Sequence, residues 1–275
     1  MSSKLTKKKY PIPYWSYSSL TTYLRNPLAW YKRYVERVYD MPSSPAAAVG
    51  RAGHVALEHF YGGLTAAAST SLGLEYLRGV PDYEIAFGKA VSRRAQADKR
   101  RAMEAEYLQA IGFYLARPPR HKVFGVEFSG IAPVTGAPLP VKAISDLVIA
   151  SRGNPGCIDI VDHKFVDTFS ALREDKPLFV LQALFNYCTV SAEFKKPVKR
   201  FIVYECRKRE NRDGSSQLRR YVLEYDTLAE EYAVFVRLLN DASEDVRTRR
   251  SFLPNPTDLF DGAHSFELYR MGLVS

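Results

Sequence analysis

The spacing of apolar and polar positions divides the chain into helical, β, helical, β and helical stretches, in that order. Leu20, Tyr23 and Leu24 form an apolar stripe that predicts a first helix over residues 16–38, capped by Ser16 or Ser18. Asn26-Pro27 predicts a break or a fresh start within it. A second helix is predicted over residues 46–61, stopped by Gly62-Gly63. A longer helical region, charged along its middle, covers residues 82–116 and ends before Pro118-Pro119. Residues 122–129 (KVFGVEFS) then read as the first clear strand. Residues 139–150 (LPVKAISDLVIA) and 157–166 (CIDIVDHKFV) are rich in β-branched and apolar side chains, and SRGNPG between them is turn chemistry, so the pair predicts a hairpin. A helix follows over 176–191, starting near Pro177 and turning Leu181, Leu184 and Phe185 to one side. Strands at 198–206 and 217–225 and an amphipathic helix at 228–246 close the pattern. The sum is an α/β (α+β) fold, a mixed central β-sheet flanked by helices with an N-terminal helical region. We read residues 1–275 as one domain: a mainly helical part to 120, a β-sheet core over 121–226, and a C-terminal helix and tail over 227–275.

Composition narrows the partners. Lys+Arg number 39 against 30 Asp+Glu, a formal net charge of +9, which favours a polyanion. No apolar run approaches the roughly 20 residues that span a bilayer. The basic start MSSKLTKKKYP has no apolar stretch behind it, so no signal peptide is expected and the expected location is the cytoplasm. Cys157, Cys188 and Cys206 lie apart, with no Cys-x-x-Cys pair, and are expected to be free thiols.

The hairpin carries the chemistry. Strand side chains alternate faces, so Asp162 and Lys164 project together while His163 points away. A hairpin brings Asp146 alongside them. Carboxylates within apolar strands are costly without a partner such as a metal ion. Mg²⁺ and Mn²⁺ prefer oxygen ligands, and two carboxylates with a lysine suit a metal-dependent phosphodiesterase. Asp-x-Lys is also a common surface ion pair, and a histidine on an apolar helix, as at His54, is more often a core residue than a ligand.

Five motifs in order extend this pattern: Ser16-x-Ser18-x-Leu20 with Tyr23 and Asn26-Pro27; Gly50-Arg51-Ala52-Gly53-His54; Glu127 in the first strand; Asp146; and Asp162-His163-Lys164, followed by Gln182 on the next helix. In these the chain resembles the PD-(D/E)xK nuclease superfamily, in particular its RecB/Cas4-like branch. The resemblance implies a restriction-endonuclease-like core and a metal site built from His54, Asp146, Asp162 and the His163 carbonyl. It implies Lys164 as the catalytic lysine and Glu127 as an assistant through water or a second metal. Gln182 and a tyrosine would contact DNA or steady the lysine. The implied activity is Mg²⁺- or Mn²⁺-dependent DNA cleavage, from ends rather than internally, in repair, recombination or replication, and a viral or mobile-element source would suit it. The alternatives are a nucleic-acid-binding module of the same fold that has lost the reaction, or a structural or assembly factor.

Three departures qualify the resemblance. Asn26 stands at the first position of the four cysteines that many relatives use for an iron–sulfur cluster, and the tail holds no cysteine, so no cluster is expected. Trp30, Phe260, Phe266 and Tyr269 are expected to tie the chain ends together instead. Four residues after Gln182 is Asn186, and the tyrosine, Tyr187, comes one step later, about 100° round the helix. No Walker A sequence is present, so a motor would come from a partner such as a helicase or recombinase. Basic groups that can track a DNA backbone, single-stranded or at duplex ends, include Arg51, Lys195, Lys196, Arg207 and Lys208. Tyr14, Trp15 and Tyr17 suit either base stacking or core packing.

Overall fold

The computed structural model describes residues 10–38, 42–171, 178–211, 214–249 and 251–255, and places a six-stranded mixed sheet between two groups of helices. The strands are β1 (Trp15–Ser16), β2 (Val123–Ala132), β3 (Val141–Ala150), β4 (Ile158–Val166), β5 (Val198–Arg207) and β6 (Leu218–Glu224). The pairs β2–β3, β3–β4 and β5–β6 are antiparallel, whereas β1–β3 and β4–β5 are parallel. A parallel neighbour needs a crossover, and α6 (Val180–Phe194) lies in the one between β4 and β5. One sheet face packs against α1 (Tyr17–Arg25), α2 (Pro27–Trp30), α6 and α7 (Ala229–Thr248). The other packs against α3 (Pro45–Tyr61), α4 (Ala66–Gly79) and α5 (Arg93–Ala116). Alternation sorts the strands between these cores: Val148, Ile160 and Val203 face the first, Leu147, Val161 and Ile202 the second.

The hairpin forms at the expected place, and α3 and α7 begin and end within two residues of their predicted bounds. The stretch predicted as a first helix is broken as Asn26-Pro27 suggested. Asn26 Oδ1 accepts the Ala29 N–H at 3.0 Å, Pro27 opens α2, and a π-helical turn (Tyr31–Glu36) ends at Arg37 in a left-handed conformation. Residues 82–116 are helical only as a short turn (Asp82–Glu84) and then α5. The alanine-rich α4 was not expected: small residues carry little periodic contrast, and its start depends on Thr65 capping Ala68. β1 has two residues, too few to show alternation. The start expected for α6 at 176–177 lies outside the described residues.

Aromatic side chains tie residues 15–31 to residues 243–252. Trp15 and Trp30 stack at 5.6 Å, and their indole N–H groups donate to Ser243 Oγ and Ser19 Oγ, each at 2.9 Å. Tyr31 stacks on Phe252 at 4.5 Å. Trp15 is therefore core, whereas Tyr17 is 41% exposed. Phe260, Phe266 and Tyr269, expected in this tie, lie outside the described residues. No helix among the described residues is long and apolar enough to cross a membrane.

Candidate active site

The site grows from an interruption in strand pairing. β2 follows one edge of β3 for its length, from Val123↔Ile149 to Ala132↔Val141. The other edge is divided: β1 takes Val141 and Lys142, β4 takes Leu147 to Ala150, and neither covers 143–146. Past Leu147↔Val161 the β3–β4 ladder ends, and the His163 N–H donates to Asp146 Oδ2 at 2.6 Å. A carboxylate thus replaces the ladder acceptor. On the β2 side Glu127 falls opposite Asp146, between the pairs Val126↔Leu147 and Phe128↔Ser145. Its φ is +46°, a left-handed conformation that costs a non-glycine residue about 1–3 kcal/mol and gathers at functional sites.

Helix α3 delivers His54 to this point. Ser44 caps it and Pro45 occupies its first turn. Within the Gly50-x-x-x-His54 motif, Gly50 has open space at its Cβ position, whereas a Cβ on Gly53 would fall 2.2–2.8 Å from the Phe165 ring of β4. Gly53 is the residue that lets the helix approach the sheet. His54 Nδ1 then lies 3.3 Å from Asp146 Oδ2. His54, Glu127 and Asp146 each offer a ligand atom, all within 4.8 Å of one another.

The charges are strongly coupled. Burial disfavours the Asp146 anion, but the His54 and His163 imidazoles outweigh it and hold this carboxyl well below the usual carboxylate range. Burial likewise opposes the His54 cation, yet Asp146, Asp162 and Glu127 lift it to about 9. Burial and the Asp146 charge push Glu127 up to about 7. Burial and Asp146 also raise Asp162, against the pull of Lys164. Crowded carboxylates beside an imidazole are a donor set that a divalent cation fits.

Asp162 and Lys164 share a face as alternation requires, with Lys164 Nζ 2.8 Å from Asp162 Oδ2. Gln182 on α6 bridges them: its Nε2 donates to Asp162 Oδ1 at 2.6 Å, and its Oε1 accepts from Lys164 Nζ at 3.0 Å. Phe179, at the head of α6, lies under the ammonium at 5.3 Å. Asp162 is buried, and its Oδ2 faces the Lys164 ammonium.

The remaining sequence candidates are distributed unevenly. The His163 ring lies on the opposite sheet face from Lys164, stacked between Tyr61 and Tyr204 with Tyr114 edge-on, and its Nδ1 is 3.4 Å from Asp146. Tyr61, Tyr114 and Tyr204 come from three distant segments and carried no sequence signal. Tyr187 does not reach the site: it packs against Tyr225 at 4.8 Å and Tyr232 at 6.2 Å. Asn186, at the register position, donates to the Gln182 carbonyl and receives the Ser145 hydroxyl. Lys208 is a correction. It is 2% exposed and its ammonium is held by Glu106 at 2.6 Å and Asp167 at 3.1 Å, so it does not face a phosphate. Arg207 is engaged by the Asp167 carbonyl and Asn211. Lys195 and Lys196 are exposed at the far end of α6, about 20 Å along the helix from Gln182. Arg51 is exposed one turn before His54. Asp162, expected among the metal ligands, pairs with Lys164 and Gln182, and Glu127 gathers with His54 and Asp146.

The model of the PD-(D/E)XK nuclease superfamily matches residues 14–259. A solved structure titled "Crystal structure of SSO0001" is 13% identical, with 83% of this chain and 81% of that chain covered and a TM-score of 0.30. No curated protein matches.

Proposed function

Because the chain belongs to the PD-(D/E)XK nuclease superfamily, we propose that this metal-dependent nuclease hydrolyses DNA phosphodiester bonds with Mg²⁺ or Mn²⁺, working from strand ends. One observation carries the reading: a Gln182-locked Asp162–Lys164 pair stands beside three ligand atoms of His54, Glu127 and Asp146 within 4.8 Å. We assign the cation to those three residues, with Asp162 and the His163 carbonyl adjoining. A cation held there supplies Lewis acidity, making water more acidic and offsetting charge on the phosphate.

The chain's own groups do the rest. Gln182 and Asp162 fix the Lys164 ammonium in one orientation, so it donates to the oxygen on which negative charge develops without reorganising. Gln182 is thus a positioning residue for both partners. The His163 backbone N–H holds the Asp146 carboxylate in the notch, and the stacked His163 ring keeps that backbone in place. The reading extends to the RecB/Cas4-like branch, a role in repair, recombination or replication and a phage or mobile-element source, with the motif order as support for the branch, and to a cytoplasmic location, which the free cysteines suit. Strand separation would fall to a partner such as a helicase or recombinase.

The test is a digest of end-labelled linear and closed circular DNA, single- and double-stranded, with Mg²⁺, Mn²⁺ or chelator. Loss of linear strands with circles intact, abolished in Lys164→Ala, is the expected result. Cleavage that survives chelation or Lys164→Ala refutes the proposal.

A further inference from the structure

Two exposed isoleucines stand on the sheet beside the His54, Glu127 and Asp146 group. Ile131 on β2 is 57% exposed and Ile144 on β3 is 53% exposed. The register pairs Ile131↔Lys142 and Ser129↔Ile144 make them diagonal neighbours on one face. That facing originates at Glu127. Val126 and Leu147 lie opposite one another and pack into the second core, under α3, α4 and α5. Beyond them the sides are exchanged: Phe128 and Ala143 pack into the first core, and Ser145, opposite Phe128, reaches Asn186 of α6. Residues two apart on a regular strand share a face, so Val126 and Phe128 can part only where the strand is irregular. The break falls at Glu127, with its φ of +46°, opposite Asp146. The exchange turns Ile131 and Ile144 to the side from which α3 brings His54, beyond the part of the sheet that the helices cover among the described residues.

We infer that Ile131 and Ile144 form a shelf for the base of the nucleotide joined to the scissile phosphate. The inference rests on the nuclease reading. Ile144 precedes Asp146 by two residues, about 7 Å along β3, which is the reach of a base from a phosphate held at Asp146. Single exposed apolar residues need no explanation; here two adjoin at the margin of a group of ionisable side chains. Neither isoleucine carries a hydrogen-bonding side-chain group, so the pair fits the face of a base rather than its edge. Aliphatic side chains pack against base faces once the bases are unstacked. The shelf therefore sorts substrates by the presence of an unstacked base and not by which base it is.

The test is single-turnover cleavage by the full chain with Mg²⁺ or Mn²⁺. One substrate is an end-labelled thymidine strand. The other is a strand of equal length built from tetrahydrofuran abasic residues, which keeps the phosphates and lacks every base. The native chain is expected to reach half-saturation at a concentration about tenfold lower for the thymidine strand. Ile131→Ser/Ile144→Ser, at exposed positions where folding is not at stake, is expected to raise that concentration about tenfold, the loss for two half-buried isoleucines. Its maximal rate should stay within about twofold, because the contact is away from the reacting bond. Its half-saturation by the abasic strand should not change, which also controls for folding. Val222→Ser/Val234→Ser removes exposed apolar side chains from β6 and α7 and should leave both substrates unaffected. Equal half-saturation of the native chain by the two strands, a preference that survives in the isoleucine variant, or an equal loss in the valine variant overturns the inference. A native chain that cleaves duplex but not the thymidine strand sinks the shelf alone, since a stacked base offers no face. One that cleaves neither with either metal sinks the nuclease reading as well.

Discussion

Glu127→Gln should stabilise the metal-free protein and destabilise the metal-loaded one. Glu127 sits in a left-handed strand position opposite Asp146, and burial followed by the Asp146 charge moves its pKa from 4.5 to about 7. The shift is upward, so the folded chain holds this proton more tightly than the unfolded chain does. The associated stability is complete below pH 4.5 and is lost as the pH rises through about 7. At about 1.4 kcal/mol per pH unit the displacement corresponds to about 3 kcal/mol, which partial solvent exposure reduces to about 2 kcal/mol. Glutamine has the same shape and cannot ionise, so the variant escapes the loss. In chelator at pH 8 it should melt about 4 °C above the native chain, and at pH 4 the two should coincide. Saturating Mn²⁺ should reverse the order, because ligand binding at a hundredfold excess over Kd adds about 2.7 kcal/mol to a chain that keeps its site. Differential scanning fluorimetry across pH, with and without Mn²⁺, measures all of this. Equal melting of the two chains in chelator at pH 8, or an equal Mn²⁺ shift in both, would refute the three-residue site.

Three further outcomes are expected. Lys164→Ala should slow single-turnover cleavage of linear DNA at least about 10²–10³-fold with an unchanged circular dichroism spectrum; a smaller loss would remove Lys164 from the chemistry. Gly53→Ala should cost about 1–3 kcal/mol in urea unfolding by forcing α3 off the Phe165 ring, and Phe165→Leu should recover part of it; a neutral Gly53→Ala would show that the helix approach is not tight. Lys208→Met should cost about 1–3 kcal/mol, since Glu106 and Asp167 lose their partner, while strand affinity stays within about twofold; a large drop in affinity would restore Lys208 as a phosphate contact.

What was legible in the sequence follows the range of the interaction. Asp162 and Lys164 share a face because strand alternation is local, and SRGNPG turned the chain back so that Asp146 came near. Gln182 was visible through motif order, and the structure gives it two hydrogen bonds to the Asp162–Lys164 pair. The one-residue displacement of Tyr187 had a definite physical sense: a helical step of about 100° carries its ring into the tyrosine cluster with Tyr225 and Tyr232. Lys208 looked like one more basic group in a basic run, and nothing local marks the two acids, one of them on α5, that enclose it.

By itself the sequence determined the order of the helices and strands other than α4 and β1, the facing of residues in the longer strands, and the types of group available for hard-cation chemistry. Each of these depends on backbone period, capping and turn residues a few positions apart. The tertiary structure alone decided that β4 leaves β3 at Leu147, that Gly53 brings His54 onto the sheet, and that Glu127 gathers with His54 and Asp146. The last two bring Gly53 and His54 onto strand residues more than 70 positions further along the chain. Whether they meet is set by the mutual fit of helices and strands, which no single stretch of chain contains.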